Sequence, residues 1–133
     1  MKTSCGIILK HGDKYLLGHA THRDQTSWTF FKGLLETNEL PEEAAYREFK
    51  EETGIDLYGL GLKIAYHSSY YLKDKRVMVY LCDDETGKTL SLTPKCNSLV
   101  DGDFPEIDDF RWVTKEEALK LVYRSQKELW KKL

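Results

Sequence analysis

Cysteine is scarce in this chain and badly spaced for cross-linking. Cys5, Cys82 and Cys96 are odd in number, far apart and contain no Cys-x-x-Cys pair, which excludes a disulfide framework and a thiolate zinc site. Three reduced, mostly buried thiols are expected instead. No stretch approaches the roughly 18 consecutive apolar residues of a membrane span, and Met1 to Leu9 is too short and too polar for a secretory leader. The expectation is a cytoplasmic protein with no membrane partner. An excess of either charge is also missing: 20 Lys and Arg stand against 22 Asp and Glu, which argues against a broad basic surface that coats long nucleic acid. Internal repeats and low-complexity linkers are absent, so nothing divides the chain.

What is present suffices for one core. A length of 133 residues, 41% of them hydrophobic, suits a single domain over residues 1–133. Apolar runs at 3–9 and 14–20, separated by Lys10-His11-Gly12-Asp13, read as an antiparallel hairpin. Residues 26–35 read as a brief strand running into a loop. Residues 41–53 form the clearest helix, with Pro41 suited to its first position and Gly54 to a left-handed C-terminal cap. Strands are expected over 60–71 and 76–82, the second with the interior run Val77-Met78-Val79-Tyr80-Leu81. A polar connection over 83–97 leads to a short strand at 109–113. A helix over 114–123 follows, with Thr114 as N-cap and Glu117 completing a capping box, and a weaker helical signal covers 129–133. Strands mixed with two or three helices predict an α/β or α+β sandwich, with helices on both faces of a mixed sheet.

Five Glu crowd the segment from Glu42 to Glu52, and that concentration requires a cause. At about 100° per residue, Glu48, Glu51 and Glu52 project within an arc of roughly 100° on one helix face, beside an apolar stripe of Ala45 and Phe49. Like charges at this spacing repel, and they sit near the negative end of the helix dipole, where each exposed acid is disfavoured by about 0.3–1 kcal/mol. A divalent cation would reverse that sign, because hard ions such as Mg²⁺ take oxygen ligands and share them with substrate phosphates. Arg47, four residues before Glu51, is spaced to pair with it and fix its orientation. Glu39 precedes the helix and can fold back to the same place if Gly33 allows a tight loop that carries backbone carbonyls there.

The stretch from Gly33 to Gly54 reads Gly-x5-Glu-x7-Arg-Glu-x2-Glu-Glu-x-Gly. Seven specified residues at about 7% frequency each match by chance about once in 10⁶ over all registers. The pattern resembles the signature of the Nudix hydrolases, with Phe49 and Ile55 at its two hydrophobic positions. Looser similarity covers the early strand pair, Trp28, Pro105-Glu106-Ile107-Asp108, Trp112 and Glu116-Glu117-Ala118. The resemblance implies a Nudix-type α/β/α sandwich with a loop-helix-loop catalytic cassette. It implies that Glu48, Glu51 and Glu52 carry Mg²⁺, with Mn²⁺ as a substitute, that Glu39 assists, that the backbone at Gly33 supplies a ligand, and that Arg47 orients a carboxylate. In two places the chain departs from the usual pattern. Phe31-Lys32-Gly33 stands where many members have Pro-Lys-Gly, which bears on substrate subgroup, and Leu40 stands where many have a Ser N-cap, which bears on helix stability.

The implied reaction is metal-assisted hydrolysis of a phosphoanhydride in a nucleoside diphosphate linked to another group, without a covalent intermediate. Glu51 or Glu52 on the helix, or Glu106 on a distal loop, is the candidate base. Lys32, Arg23, Arg76 and Lys73 are candidate phosphate partners, and Tyr70, Tyr66, Tyr71 and Phe104 are candidate base-stacking residues. The pair His19 and His22 is poorly spaced for a metal on a strand and is read as structural. The Lys-Gly opening favours a dinucleoside polyphosphate as the nucleotide substrate. ADP-ribose or a nucleotide sugar, a nucleoside triphosphate and the 5′ end of RNA are the alternatives. A non-catalytic nucleotide-binding module of the same fold is the competing class, disfavoured because every metal carboxylate is retained.

Overall fold

Two strands that meet at a tight turn and then diverge set the architecture. In the computed structural model, which describes all of residues 1–133, β1 (Lys2–His11) and β2 (Lys14–Ala20) pair only beside the turn, through Lys10↔Tyr15 and His11↔Lys14. Gly12 takes a φ of 59°, the left-handed conformation this hairpin needs. Beyond the turn the strands separate, and β3 (Trp28–Thr29) and β4 (Phe31–Leu34) fill the wedge, β3 on β2 and β4 on β1. β1 also runs parallel to β6 (Lys75–Asp83), which carries β5 (Ala65–Leu72) at the sheet edge. β9 (Ile107–Thr114) closes the other side against β2. The result is a seven-stranded mixed sheet.

Alternation along β1 divides the core in two. Cys5, Ile7 and Leu9 face α1 (Pro41–Thr53), together with Phe31, Ala45 and Phe49, whereas Ile8 faces the opposite side with Leu17, Phe30, Val77 and Val79. That second side is covered by α2 (Lys115–Leu121), a 3₁₀ turn at Arg124–Gln126 and α3 (Lys127–Lys131). An α/β/α sandwich follows, as expected. A small separate hairpin of β7 (Leu99–Val100) and β8 (Phe104–Pro105), not anticipated from the sequence, leads into β9.

Several boundaries move. The strand expected from residue 60 begins only at Ala65, because residues 57–61 fold into turns closed by Leu60 N–H to Asp56 O at 3.0 Å and a left-handed Gly61. Leu60 and Leu62 pack onto the α1 side of the core as a plug, which is why their spacing imitates a strand. In place of the expected brief strand running into a loop over 26–35, there are two short strands, β3 and β4, separated at Phe30, where the chain passes from one partner to the other. α2 stops at Leu121 rather than residue 123, since Val122 turns extended and bridges Trp28. The last helix spans Lys127–Lys131, anchored by buried Leu129 and Trp130. Both ends of α1 fall as expected: Gly54 has φ 74° and donates to Lys50 O, and the main-chain N–H of Leu40 donates to Glu43 Oε1 at 2.8 Å. Glu43 thus supplies one half of a capping box, and the other half, a side-chain acceptor at residue 40, is missing because leucine has none.

Candidate active site

The entry to the site is a strand rather than a loop. Gly33 lies within β4 opposite Cys5, in extended backbone, so its torsional freedom is not used. Glycine is needed there for another reason: a Cβ at residue 33 would collide with the Glu48 carboxyl group, which lies directly over it. The backbone of β4 and the carboxylate of α1 are therefore in close apposition, the geometry that the tight-loop expectation attributed to a turn.

Arg47 organises the acids. Its Nε donates to Glu39 Oε2 at 2.7 Å and its Nη2 to Glu39 Oε1 at 3.0 Å, a two-pronged pair. Nη1 donates to Glu48 Oε1 at 2.7 Å, and Nη2 also reaches the Leu34 carbonyl at 2.9 Å. The pairing anticipated from helical spacing, Arg47 with Glu51, is present but is the longer contact at 3.3 Å. One guanidinium thus already neutralises part of the repulsion among Glu39, Glu48 and Glu51, so a cation is not the sole reason these acids tolerate one another. The bond to Arg47 holds the Glu39 carboxyl below its usual range, and those to Glu39 raise the Arg47 value further.

Glu52 is the exception. It is 3% exposed, and its Oε2 has no hydrogen-bond partner in the protein. Burial pushes its pKa well above the usual carboxyl value, with the charges of Glu48 and Glu106 adding to the effect and Lys32 opposing it. Glu48 is raised for the same leading reason, burial, against the pull of Arg47, and the two carboxyls are close enough to share a proton. The donor set is chemically suited to a hard divalent ion, with several carboxylates and one buried oxygen left without a donor. The acids do not close on a single point as a preformed cage.

Lys32 and Glu106 reach the same place from elsewhere in the chain. Lys32 lies on the opposite face of β4 from Gly33. Burial lowers its pKa, and its charged neighbours are Lys75, Glu52, Glu106 and Glu48. Glu106 is held by its main chain between Ser98 and Thr21, through hydrogen bonds of 2.9 Å and 3.0 Å, which places its carboxylate within electrostatic reach of both Glu52 and Lys32. Arg23 lies nearby, sharing with Glu106, His22 and Phe104 a cleft of about 410 Å³.

The remaining sequence candidates are dispersed. Arg76 sits on the α1 side of β6, its charge felt by Cys5 and its Nε buried without a partner. Tyr70 packs against the second core with a buried, unpaired hydroxyl, while Tyr66 and Tyr71 are exposed on β5. Lys73 occupies the β5–β6 turn, away from the acids. His19 binds Asp108 Oδ1 and the Asp24 carbonyl, and His22 packs on Phe104, a structural use of both. Burial raises the thiols of Cys5 to about 11 and Cys82 to about 12, so neither is a nucleophile at neutral pH. Two features were not legible beforehand: the Glu39–Arg47 clamp, whose eight-residue separation crosses the helix start and obeys no periodicity, and Lys75, which approaches Lys32 only through the parallel pairing of β1 and β6.

The chain matches the family described as NUDIX domain over residues 2–133. It is 32% identical over 141 aligned residues to an RNA pyrophosphohydrolase of Marinomonas sp. (strain MWYL1), covering 98% of this chain and 86% of that one. To the RNA pyrophosphohydrolase of Francisella tularensis subsp. mediasiatica (strain FSC147) it is 31% identical, covering 95% and 85% of the two chains. Among solved structures, a C. elegans Ap4A hydrolase binary complex superposes with a TM-score of 0.74 at 22% identity, covering 99% of this chain and 94% of that one. At that identity the likeness concerns the fold.

Proposed function

The chain belongs to the Nudix family and is a hydrolase of phosphoanhydride bonds, and from that premise we propose that it removes phosphate from the 5′ polyphosphate end of RNA. The observation that carries a catalytic rather than a merely binding role is Glu52: a buried carboxyl oxygen without a partner, set between Glu48, Glu106 and Lys32. Burying such a group costs stability unless something binds it. In this reading Glu48, Glu51 and Glu52, assisted by Glu39 and the backbone at Gly33, hold Mg²⁺, with Mn²⁺ able to substitute. The ion supplies positive charge that offsets the charge developing on the phosphoryl oxygens. Lys32 binds a phosphate oxygen, and Arg23, which lines the cleft beside Glu106, contacts the substrate there. Glu106 accepts the proton of the attacking water, and Arg47 keeps Glu39 and Glu48 oriented. Similarity to two RNA pyrophosphohydrolases along almost the whole chain supports the RNA substrate. The second reading, a free dinucleoside polyphosphate, is favoured by the Lys32-Gly33 opening. A cytoplasmic setting is part of the proposal, supported by three free, buried thiols; no helix is long and apolar enough to cross a membrane.

The test is a magnesium-containing screen of triphosphorylated RNA, dinucleoside polyphosphates, nucleotide sugars and nucleoside triphosphates, with products separated by chromatography. Triphosphorylated RNA should give the highest kcat/KM; a higher value for a dinucleoside polyphosphate establishes the second reading. Glu52→Gln should lower turnover by at least about 100-fold while raising the melting temperature of the metal-free protein near neutral pH. Near-normal turnover would remove Glu52 from the site. Glu106→Gln should slow turnover with metal affinity nearly unchanged, and an unaltered rate would retire it as base.

A further inference from the structure

A band of lysines runs along the sheet face opposite α1, starting from Lys32, whose charged neighbours include Glu52, Glu106 and Glu48. Cross-strand partners share a sheet face, so the pairings Lys32↔Gly6, Gly6↔Val79 and Lys2↔Lys75, together with alternation along β1 and β6, put Lys32, Lys75 and Lys2 on one face. The charge of Lys75 reaches Lys32. At the far end, Met1, Lys2, Lys73, Asp74 and Lys75 line a cleft of about 610 Å³. A second cleft of about 420 Å³ shares Met1 and Lys2 and ends at Leu34 and Leu35, beside the carbonyl that Arg47 holds. Three lysines against one aspartate, in a chain of net charge −2, form a local concentration of positive charge. The main chain of Lys75 stands four residues from the level of Lys32, about 13 Å along the strand. Leu72, the register partner of Lys75, adds an apolar surface at 37% exposure.

We propose that this groove, built from Lys2, Lys73 and Lys75, binds the phosphodiester backbone of the nucleotides that follow the reacting end, so that the enzyme engages a strand rather than a lone nucleotide. The assignment rests on the RNA reading and extends it from the reacting phosphates to the chain behind them.

The experiment compares kcat/KM on 5′-triphosphorylated RNAs of one, two, three and six nucleotides, for the wild type and for Lys2→Gln/Lys75→Gln, at several salt concentrations. The wild type should gain about tenfold or more between one nucleotide and six, and the variant should lose most of that gain while cutting the mononucleotide at a rate within about threefold of wild type. Each neutralised phosphate contributes about 0.7 to the salt slope on single strands, so the double variant should show a slope shallower by about 1.4 on the longer RNAs. Equal length dependence in the two proteins, or none in the wild type, overturns the groove and leaves the catalytic reading standing. Failure to cut RNA of any length, with dinucleoside polyphosphates cut, overturns both the groove and the RNA reading.

Discussion

A methyl group at residue 33 would lie inside the volume of the Glu48 carboxyl, whose oxygen is held by Arg47 at 2.7 Å and is not free to retreat without giving up that bond. Gly33→Ala should therefore reduce kcat/KM by about 100-fold, equivalent to about 2.7 kcal/mol of transition-state stabilisation, while the melting temperature changes by only a few degrees. Full activity in this variant would show that Glu48 can move aside, and would dissociate it from the metal role. Glu52 presents the complementary case, in which the residue is tolerated rather than accommodated. Its folded pKa is raised, so its ionisation destabilises the fold progressively as pH rises above about 4.5, and the cost is absent in acid where both states are protonated. The same arithmetic explains why Glu52→Gln is expected to stabilise the protein that it inactivates.

Among elements, α1 is defined by its caps and its apolar stripe, but Arg47 joins it to the rest of the site. The guanidinium ties the helix to Glu39 before its first turn and to the Leu34 carbonyl at the end of β4. A lysine has neither the fork nor the reach to keep both. Arg47→Lys should lower the melting temperature by a few degrees, in line with the net worth of about 0.5–1.5 kcal/mol of a lost hydrogen bond at partly exposed acceptors, and should reduce turnover about 100-fold at saturating magnesium. Retention of both properties would show that the clamp contributes little beyond local charge. The missing first part of β5 makes a related point: apolar residues at period two mark burial, and in residues 57–62 burial is achieved by turns packed on the core rather than by a strand.

At the scale of the whole molecule, the loop that leads from β2 to β3 is fastened across the sheet by His19. Nδ1 lies 2.7 Å from Asp108 Oδ1 and Nε2 lies 2.7 Å from the Asp24 carbonyl, two acceptors that can both be satisfied only by an imidazolium. Burial of the ring opposes the charge, but the bonds to Asp108 and Asp24 and the charges of Asp108 and Asp109 outweigh it, and the pKa is raised above 6.5. The sign follows: the stabilisation is fully present below about pH 6.5 and is lost as pH rises through the folded value. The melting-temperature difference between wild type and His19→Asn should thus be larger near pH 6 than near pH 8.5. A constant difference would show that the ring is neutral and that its bonds are worth the same in both states.

The sequence by itself determined those features whose cause is local. The hairpin turn at Gly12, both ends of α1, the capping box of Thr114 and Glu117, and the gathering of Glu48, Glu51 and Glu52 on one helix all follow from torsional preference or helical spacing, and are in place. Tertiary structure alone decided what those acids meet. The divergence of β1 and β2 admits β4, which lays Gly33 beneath Glu48; the β7–β8 hairpin carries Glu106 to Glu52 across 54 positions of chain; and the parallel β1–β6 pairing brings Lys75 to Lys32. Contacts of this kind depend on strand order and register, which arise from packing the whole core and leave no periodic trace in any one segment.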